Sequence, residues 1–261
     1  MRVKVIVKGI VQGVGFRPFI YRIAVDNGLL GYVRNRGDAG VEMVVEGKEG
    51  NVKRFLRCLK EEKPSLSQIY DLSVEYSEDR GGFTKFSIAK SLRGGSLPGS
   101  TIPYDVAMCD QCLKDLRDPE NRRYNYFFTT CTQCGPRYTI IERLPYDRSN
   151  TTMKDFPMCE RCGREYANPS DRRFHAQTVA CAECGPTVFL RDNRGNPVPV
   201  EDPIREAGRL VEEGFILAVK GNGGFHIAAS TLRPQPISRL RRVKHRAQKP
   251  FAIMAKGLEA V

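Results

Sequence analysis

Eight of the nine cysteines in this 261-residue chain fall into four CxxC pairs, Cys109/Cys112, Cys131/Cys134, Cys159/Cys162 and Cys181/Cys184, with 18, 24 and 18 residues between successive pairs. The pattern repeats with a period of 50, and the repeat extends beyond the cysteines. Met108 falls on Met158, Pro119 on Pro169, Arg122-Arg123 on Arg172-Arg173, and Cys134-Gly135-Pro136 on Cys184-Gly185-Pro186. One structural unit is written twice without a gap. A CxxC turn sets two thiolates on one side of a tight knuckle, and two knuckles supply the four soft ligands of a tetrahedral zinc site. Each repeat carries one complete set, so local pairing within a repeat is the simplest arrangement, although interleaved pairing satisfies the same spacing. Four thiolates leave no open position on the metal, which makes the two zinc ions structural. His175 has Asn125 as its counterpart, and a ligand should recur with the repeat, so His175 is not counted among the ligands. Cys58 stands alone in a helical pattern and reads as a core thiol. Disulfides would need an oxidising compartment, and the N-terminus runs straight into an alternating strand with no apolar leader, so a reduced, cytoplasmic chain is expected.

A second group of residues suits anion chemistry. The string Gly9-Ile10-Val11-Gln12-Gly13-Val14-Gly15-Phe16-Arg17-Pro18 is a glycine loop feeding a helix. Successive backbone N–H groups in such a loop, aimed from a helix N-terminus, form an anion cradle. Residues Gln12, Gly13, Val14, Gly15, Phe16 and Arg17 are therefore the candidate phosphate-binding set, with Arg17 adding a planar, permanently charged fork. The dinucleotide-binding pattern fails here because Pro18 stands where its third glycine should be.

The elements that must position these groups follow from periodicity. Residues 2–8 alternate as a half-buried strand, and Phe16, Phe19, Ile20, Ile23 and Ala24 share one face of a helix that closes at Gly28. Strands near 29–35 and 41–47 flank a glycine-bounded turn at 35–40, a second helix over 49–62 presents Val52, Phe55, Leu56 and Leu59, and strands near 69–76 and 82–88 follow. The order βαββαβ, with a split last strand as a variant, is an α+β ferredoxin-like sandwich over residues 1–90. Residues 91–103 form a linker, two four-cysteine zinc-finger modules occupy 104–190, and 191–203 are a turn-rich joint. From about 200 to 261 the pattern is a helix near 203–213, an apolar strand at 215–219, a basic helix and a second apolar strand at 249–254. That is too little to bury a good core, so the segment is expected to be the start of a truncated α/β domain.

The formal charge of +12 divides as +5 over residues 1–90, +1 over 91–190 and +6 over 191–261. Eight thiolates on two divalent ions would bring the finger region to about −3, which argues against a finger–nucleic-acid interface. No apolar run approaches the about 18 residues of a membrane span.

The string Val11-Gln12-Gly13-Val14-Gly15-Phe16-Arg17, with Asn35 eighteen residues after Arg17, resembles the acylphosphatase signature. The resemblance covers about residues 1–90 and implies that Arg17 binds the phosphate of an acyl phosphate while Asn35 positions the attacking water. Such a site should be self-contained, needing nothing beyond residue 90. An acylphosphatase-like domain followed by this CxxC array is in turn similar to the HypF family of hydrogenase-maturation carbamoyltransferases. Lys220-Gly221, Gly223-Gly224-Phe225-His226 and the run 244–250 resemble the start of that family's YrdC-like domain, placing Lys220, Lys244, Arg246 and Lys249 among nucleotide-binding positions. The resemblance implies carbamoyl phosphate, or another acyl phosphate, as substrate. It also implies ATP-dependent carbamoyl adenylation and transfer to the partner HypE in the complete protein, steps that need residues beyond 261. The alternative, from a different class, is a zinc-finger module binding nucleic acid or protein, with an attached acylphosphatase-like fold.

Elemental analysis of the purified chain should return two zinc ions per polypeptide. Sites of this kind contribute on the order of 10–16 kcal/mol of apparent binding energy, so a chelator should unfold residues 104–190 and spare 1–90. One metal ion, or disulfides in anaerobically prepared protein, would contradict the reading.

Overall fold

The computed structural model describes residues 1–36, 40–77, 81–92 and 103–260. The centre of the expected turn at 35–40 and most of the expected linker at 91–103 lie outside the described residues. The described chain divides into two compact units, Met1–Pro186 and Thr187–Val261.

The first unit opens with β1 (Arg2–Ile10), α1 (Phe16–Asp26), β2 (Leu30–Asn35), β3 (Gly40–Glu46), α2 (Glu49–Glu61), β4 (Gln68–Ser77) and β5 (Phe86–Ile88). The period-two pattern of β1 sends Val3, Val5 and Val7 fully inward and turns Lys4 and Lys8 away. Both helices lie on that inner face: Phe16, Ile20, Ile23 and Ala24 of α1 and Val52, Phe55 and Leu59 of α2 join the valines in one core drawn wholly from residues 3–88. The sheet runs β4-β1-β3-β2-β5, antiparallel except where β5 lies parallel to β2. The last segment is thus divided between opposite edges, β4 beside β1 and β5 beside β2. On the sheet's other face, buried Glu42 of β3 is held by Arg34 at 2.6 Å and by the Tyr32 hydroxyl at 2.9 Å.

The two cysteine repeats fold alike. Helix α3 (Asp110–Arg117) starts on Cys109 and α4 (Glu160–Ala167) starts on Cys159. Each is followed by turns that reach a left-handed residue, Asn125 with φ 54° and His175 with φ 55°. Asparagine is at ease there and histidine less so. After the first repeat, residues 137–157 fold back across the ferredoxin-like layer through short 3-10 turns at Arg148–Asn150 and Thr152–Asp155.

The second unit contains β6 (Leu190–Arg191) paired with β7 (Pro197–Val198), α5 (Pro203–Glu212), the hairpin β8 (Leu217–Gly221) with β9 (Gly224–Ala228), and α6 (Pro234–Val243). Asp202 caps α5, accepting from the amides of Ile204 and Arg205 at 3.0 Å. The strand expected at 215–219 begins two residues later, and β9 is its unforeseen partner. The apolar run at 249–254 is not a strand. A strand needs a ladder partner for its amides and carbonyls, whereas here the carbonyls of Arg246, Ala247 and Lys249 accept from Arg241 and the side chains of Ile253 and Met254 are exposed. Among the described residues no helix is long and apolar enough to cross a membrane.

Phe55→Ala should destabilise the ferredoxin-like layer by roughly 3–5 kcal/mol, because it empties a fully buried position under the sheet. Tyr70→Ala, on exposed β4, should stay within about 0.5 kcal/mol. Denaturant unfolding of both variants tests which face of the sheet carries the core.

Candidate functional site

The eight paired cysteines form two groups, Cys109, Cys112, Cys131, Cys134 and Cys159, Cys162, Cys181, Cys184, and within each the Sγ atoms lie within 4.8 Å of one another. The geometry is therefore the local pairing. Sγ–Sγ distances of 3.8 Å for Cys109–Cys131 and 3.7 Å for Cys131–Cys134, with 3.8, 3.8 and 3.6 Å in the second group, match the edge of a tetrahedron. A Zn–S bond of about 2.3 Å implies an edge near 3.8 Å, so the donor set fits the metal. His175 belongs to neither group.

The arginine pairs of the repeats cross over. Arg122 donates to Cys162 Sγ at 2.6 Å and Arg123 binds Glu165, both in the second finger. Arg172 donates to Cys112 Sγ at 3.0 Å, and with Arg173 it binds Asp115, both in the first finger. Glu165 is Asp115 moved by one repeat, so the exchange is symmetric. Burial alone would raise both carboxyls, but the facing arginines hold them below their ordinary range. Arg123 and Arg173 are buried by this exchange, and Arg122 and Arg172 are directed at thiolates; none of the four is presented to a nucleic-acid backbone.

The glycine loop lies beneath the first finger. Gly13 (φ 72°) and Gly15 (φ 75°) are left-handed, which turns the loop tightly into α1. A Cβ on Gly13 would come within 3.0 Å of Pro103 and 3.3 Å of Arg137, so the close approach also requires glycine. Arg137, itself buried, donates to the carbonyl of Gly13 and to those of Thr132, Cys134 and Pro136. It ties the cysteine knuckle to the glycine loop.

Gln12, Arg17 and Asn35 converge on one dipeptide. Arg17 Nη1 lies 2.8 Å from the Asp147 carboxylate and Nη2 2.9 Å from the Tyr146 carbonyl. Asn35 Nδ2 donates to that carbonyl at 3.3 Å, and Gln12 Oε1 accepts from the Tyr146 amide at 3.0 Å. Asn35 Oδ1 is buried without a partner. The Asp147 carboxylate thus occupies the guanidinium, and the Tyr146 carbonyl occupies the amide of Asn35. A cavity of about 20 Å³ remains between the loop and the fingers, room for about one water. A second, of about 490 Å³, opens beside it and is lined by Arg17, Lys90, Arg143, Asp147, Arg148 and His175 among others. His175 borders both cavities. Burial first, then the Arg17 charge, lower its pKa to about 4, so the imidazole is neutral at pH 7.

Residues beyond 90 also border the site: Arg137, Tyr146, Asp147, His175 and Gln177 of the finger region line its cavities. No local pattern marks these residues; His175 and Gln177 stand at the repeat positions of Asn125 and Phe127.

In the second unit the four basic candidates are divided between strand β8, which carries Lys220, and the segment after α6, which carries Lys244, Arg246 and Lys249. Lys220 sits over the Phe225 ring at 5.5 Å, Arg246 over Phe251 at 5.1 Å, and Lys244 and Lys249 are exposed.

Residues 3–88 match the acylphosphatase family model, 108–141 and 158–191 each match the HypF finger, and 209–261 match the Sua5/YciO/YrdC model, described as telomere recombination. The chain is 54% identical to a probable carbamoyltransferase HypF of Methanocaldococcus jannaschii over 98% of its own length and 33% of that protein. It is 42% identical to an acylphosphatase of Bacillus licheniformis over 34% of its own length and 98% of that protein. A crystal structure of full-length HypF in the phosphate- and nucleotide-bound form superposes with a TM-score of 0.90 at 44% identity, covering 99% of this chain and 33% of that one. The chain thus spans about a third of the HypF relatives it matches.

Glu165→Ala should cost about 3 kcal/mol, because it leaves Arg123 buried without its carboxylate, whereas Glu160→Ala breaks only an exposed pair and should cost under about 1 kcal/mol. Since the Glu165 carboxyl is depressed in the fold, its contribution is complete above its ordinary value of 4.5 and is lost as pH falls further. Glu165→Gln should flatten that acid limb in thermal melts.

Proposed function

The chain belongs to the HypF carbamoyltransferase family, and its residues 3–88 to the acylphosphatase family, and from that premise we propose that it hydrolyses acyl phosphates, with carbamoyl phosphate as its substrate. The convergence of Gln12, Arg17 and Asn35 on a single dipeptide beside the glycine loop carries this reading. The phosphate lies in the nest formed by Gln12, Gly13, Val14, Gly15, Phe16 and Arg17. Arg17 clamps it through a two-pronged contact that a lysine does not reproduce. Asn35 orients the water. Water and the acyl phosphate dianion yield a carboxylate, or carbamate from carbamoyl phosphate, together with hydrogen phosphate and one proton. An acyl phosphate has a good leaving group, so positioning and charge stabilisation carry the rate. Entry of the phosphate requires residues 146–147 to release Arg17.

The division of labour that fits best is an acylphosphatase part at 1–90, a linker at 91–103, a finger part at 104–190 and the beginning of a YrdC-like part at 200–261. Two zinc ions in the four-cysteine groups cross-link the finger part and take no role in the reaction. In the complete protein, ATP-dependent adenylation of carbamate would follow at the YrdC-like part, with Lys220, Lys244, Arg246 and Lys249 near the nucleotide. Transfer of the carbamoyl group to HypE comes after that, in the cytoplasm. The nucleic-acid reading is disfavoured because the finger arginines face thiolates and carboxylates of the opposite finger.

Arg17→Ala should abolish phosphate binding and acyl-phosphate hydrolysis, and Arg17→Lys should not restore them. Asn35→Ala should lower kcat by at least about a hundredfold with phosphate inhibition little changed, as fits a group acting on the water. Phosphate release from carbamoyl phosphate without ATP is the assay. Undiminished hydrolysis by Arg17→Ala would overturn the assignment.

A further inference from the structure

The two walls of the site differ in hydrogen-bonding character. The glycine loop and Arg17 offer donors, whereas on the finger side Asp147 and His175 offer acceptors beside the donors Arg143 and Arg148. Both lone pairs of the Tyr146 carbonyl are used by Arg17 and Asn35. Asp147 shares one carboxylate oxygen with Arg17 and lines the larger cavity. His175 lines both cavities, and its Nδ1 is buried with no hydrogen-bond partner. The neutral imidazole carries its single proton on one nitrogen. With the Arg17 cation nearby and no acceptor in reach of Nδ1, the proton belongs on Nε2, which leaves Nδ1 as a lone pair. The same backbone position in the first repeat is filled by Asn125 in the same left-handed conformation, so the fold itself has no need of an imidazole there.

A phosphate dianion carries acceptors only, so it belongs on the donor wall and leaves the acyl half of the molecule facing Asp147 and His175. An acetyl group meets them with a methyl. A carbamoyl group meets them with two N–H donors. We propose that Asp147 and His175 set the acyl preference of the site by accepting the amino hydrogens of a carbamoyl phosphate, so that acyl phosphates bearing an N–H donor are selected over those bearing an alkyl group. When phosphate takes Arg17, the Asp147 carboxylate is freed from the guanidinium to receive that donor. The inference rests on the hydrolysis proposed above and adds the residues that choose among acyl groups. A site built to hydrogen-bond a substrate N–H penalises the analogue that lacks it, because its own buried acceptors are then left unpaired.

The test compares kcat/KM for carbamoyl phosphate and acetyl phosphate in the wild-type chain, in Asp147→Ala and in His175→Asn, the last chosen because asparagine occupies the equivalent position in the first repeat. The wild type should prefer carbamoyl phosphate by about tenfold or more, and each substitution should reduce that ratio by about tenfold. Damage to the fold, to Arg17 or to phosphate binding lowers both rates and leaves the ratio unchanged, so the ratio isolates acyl recognition. A wild-type preference for acetyl phosphate, or ratios unchanged in both variants, would overturn the proposal. A fall in only one variant would overturn the pairing and leave the role to that residue. If the wild type cleaves neither compound, the hydrolysis reading itself is what fails.

Discussion

The finger region depends on its two groups of four cysteines. Its apolar clusters are small: one gathers Tyr126, Phe128, Ile140, Met153 and Ala180, and the other two consist largely of the cysteines themselves. Such clusters bury too little to order about 80 residues, whereas a zinc ion held in each tetrahedron would supply folding energy directly. The crossed arginines extend this dependence, because each finger's thiolates and carboxylate are neutralised by guanidinium groups of the other. Neither finger has its charges balanced alone.

What the fingers support is the cover over the glycine loop, Arg17 and Asn35. Arg137 leaves the first knuckle to grip the carbonyl of Gly13, and the chain beyond it lays Tyr146 and Asp147 across Arg17 and Asn35. The ferredoxin-like layer has its own core and supplies the glycine loop, Arg17 and Asn35; the fingers supply the roof. An acylphosphatase-like fold working by itself would expose its loop to water, whereas here the loop is covered and the larger cavity beside Arg17 is bordered by both layers. Excluding water strengthens every charge interaction inside.

Much of this was legible in the residues. The eight cysteines admit few readings other than a metal, because four thiolates per repeat at fixed spacing answer one coordination geometry. The strand of alternating valines and the helix with Phe16, Ile20 and Ile23 on one face follow from periods of 2 and 3.6. The roof was not legible. Tyr146 and Asp147 reach Gln12 and Arg17 across about 130 residues of sequence, and no local pattern encodes such a meeting. The apolar run at 249–254 misled for the opposite reason: its composition suits a strand, but composition says nothing about whether a partner lies beside it. His175 was set aside as a metal ligand by comparing the repeats, and the metal groups exclude it.

If Arg17 binds the phosphate of an acyl phosphate, it must exchange the Asp147 carboxylate for it. A crystal structure of this chain soaked with inorganic phosphate tests it most directly. The account predicts phosphate seated in the loop of residues 12–17 with its oxygens on the Arg17 guanidinium, and Asp147 withdrawn from the 2.8 Å contact seen here. Phosphate bound elsewhere, with the Arg17–Asp147 pair intact, would contradict it.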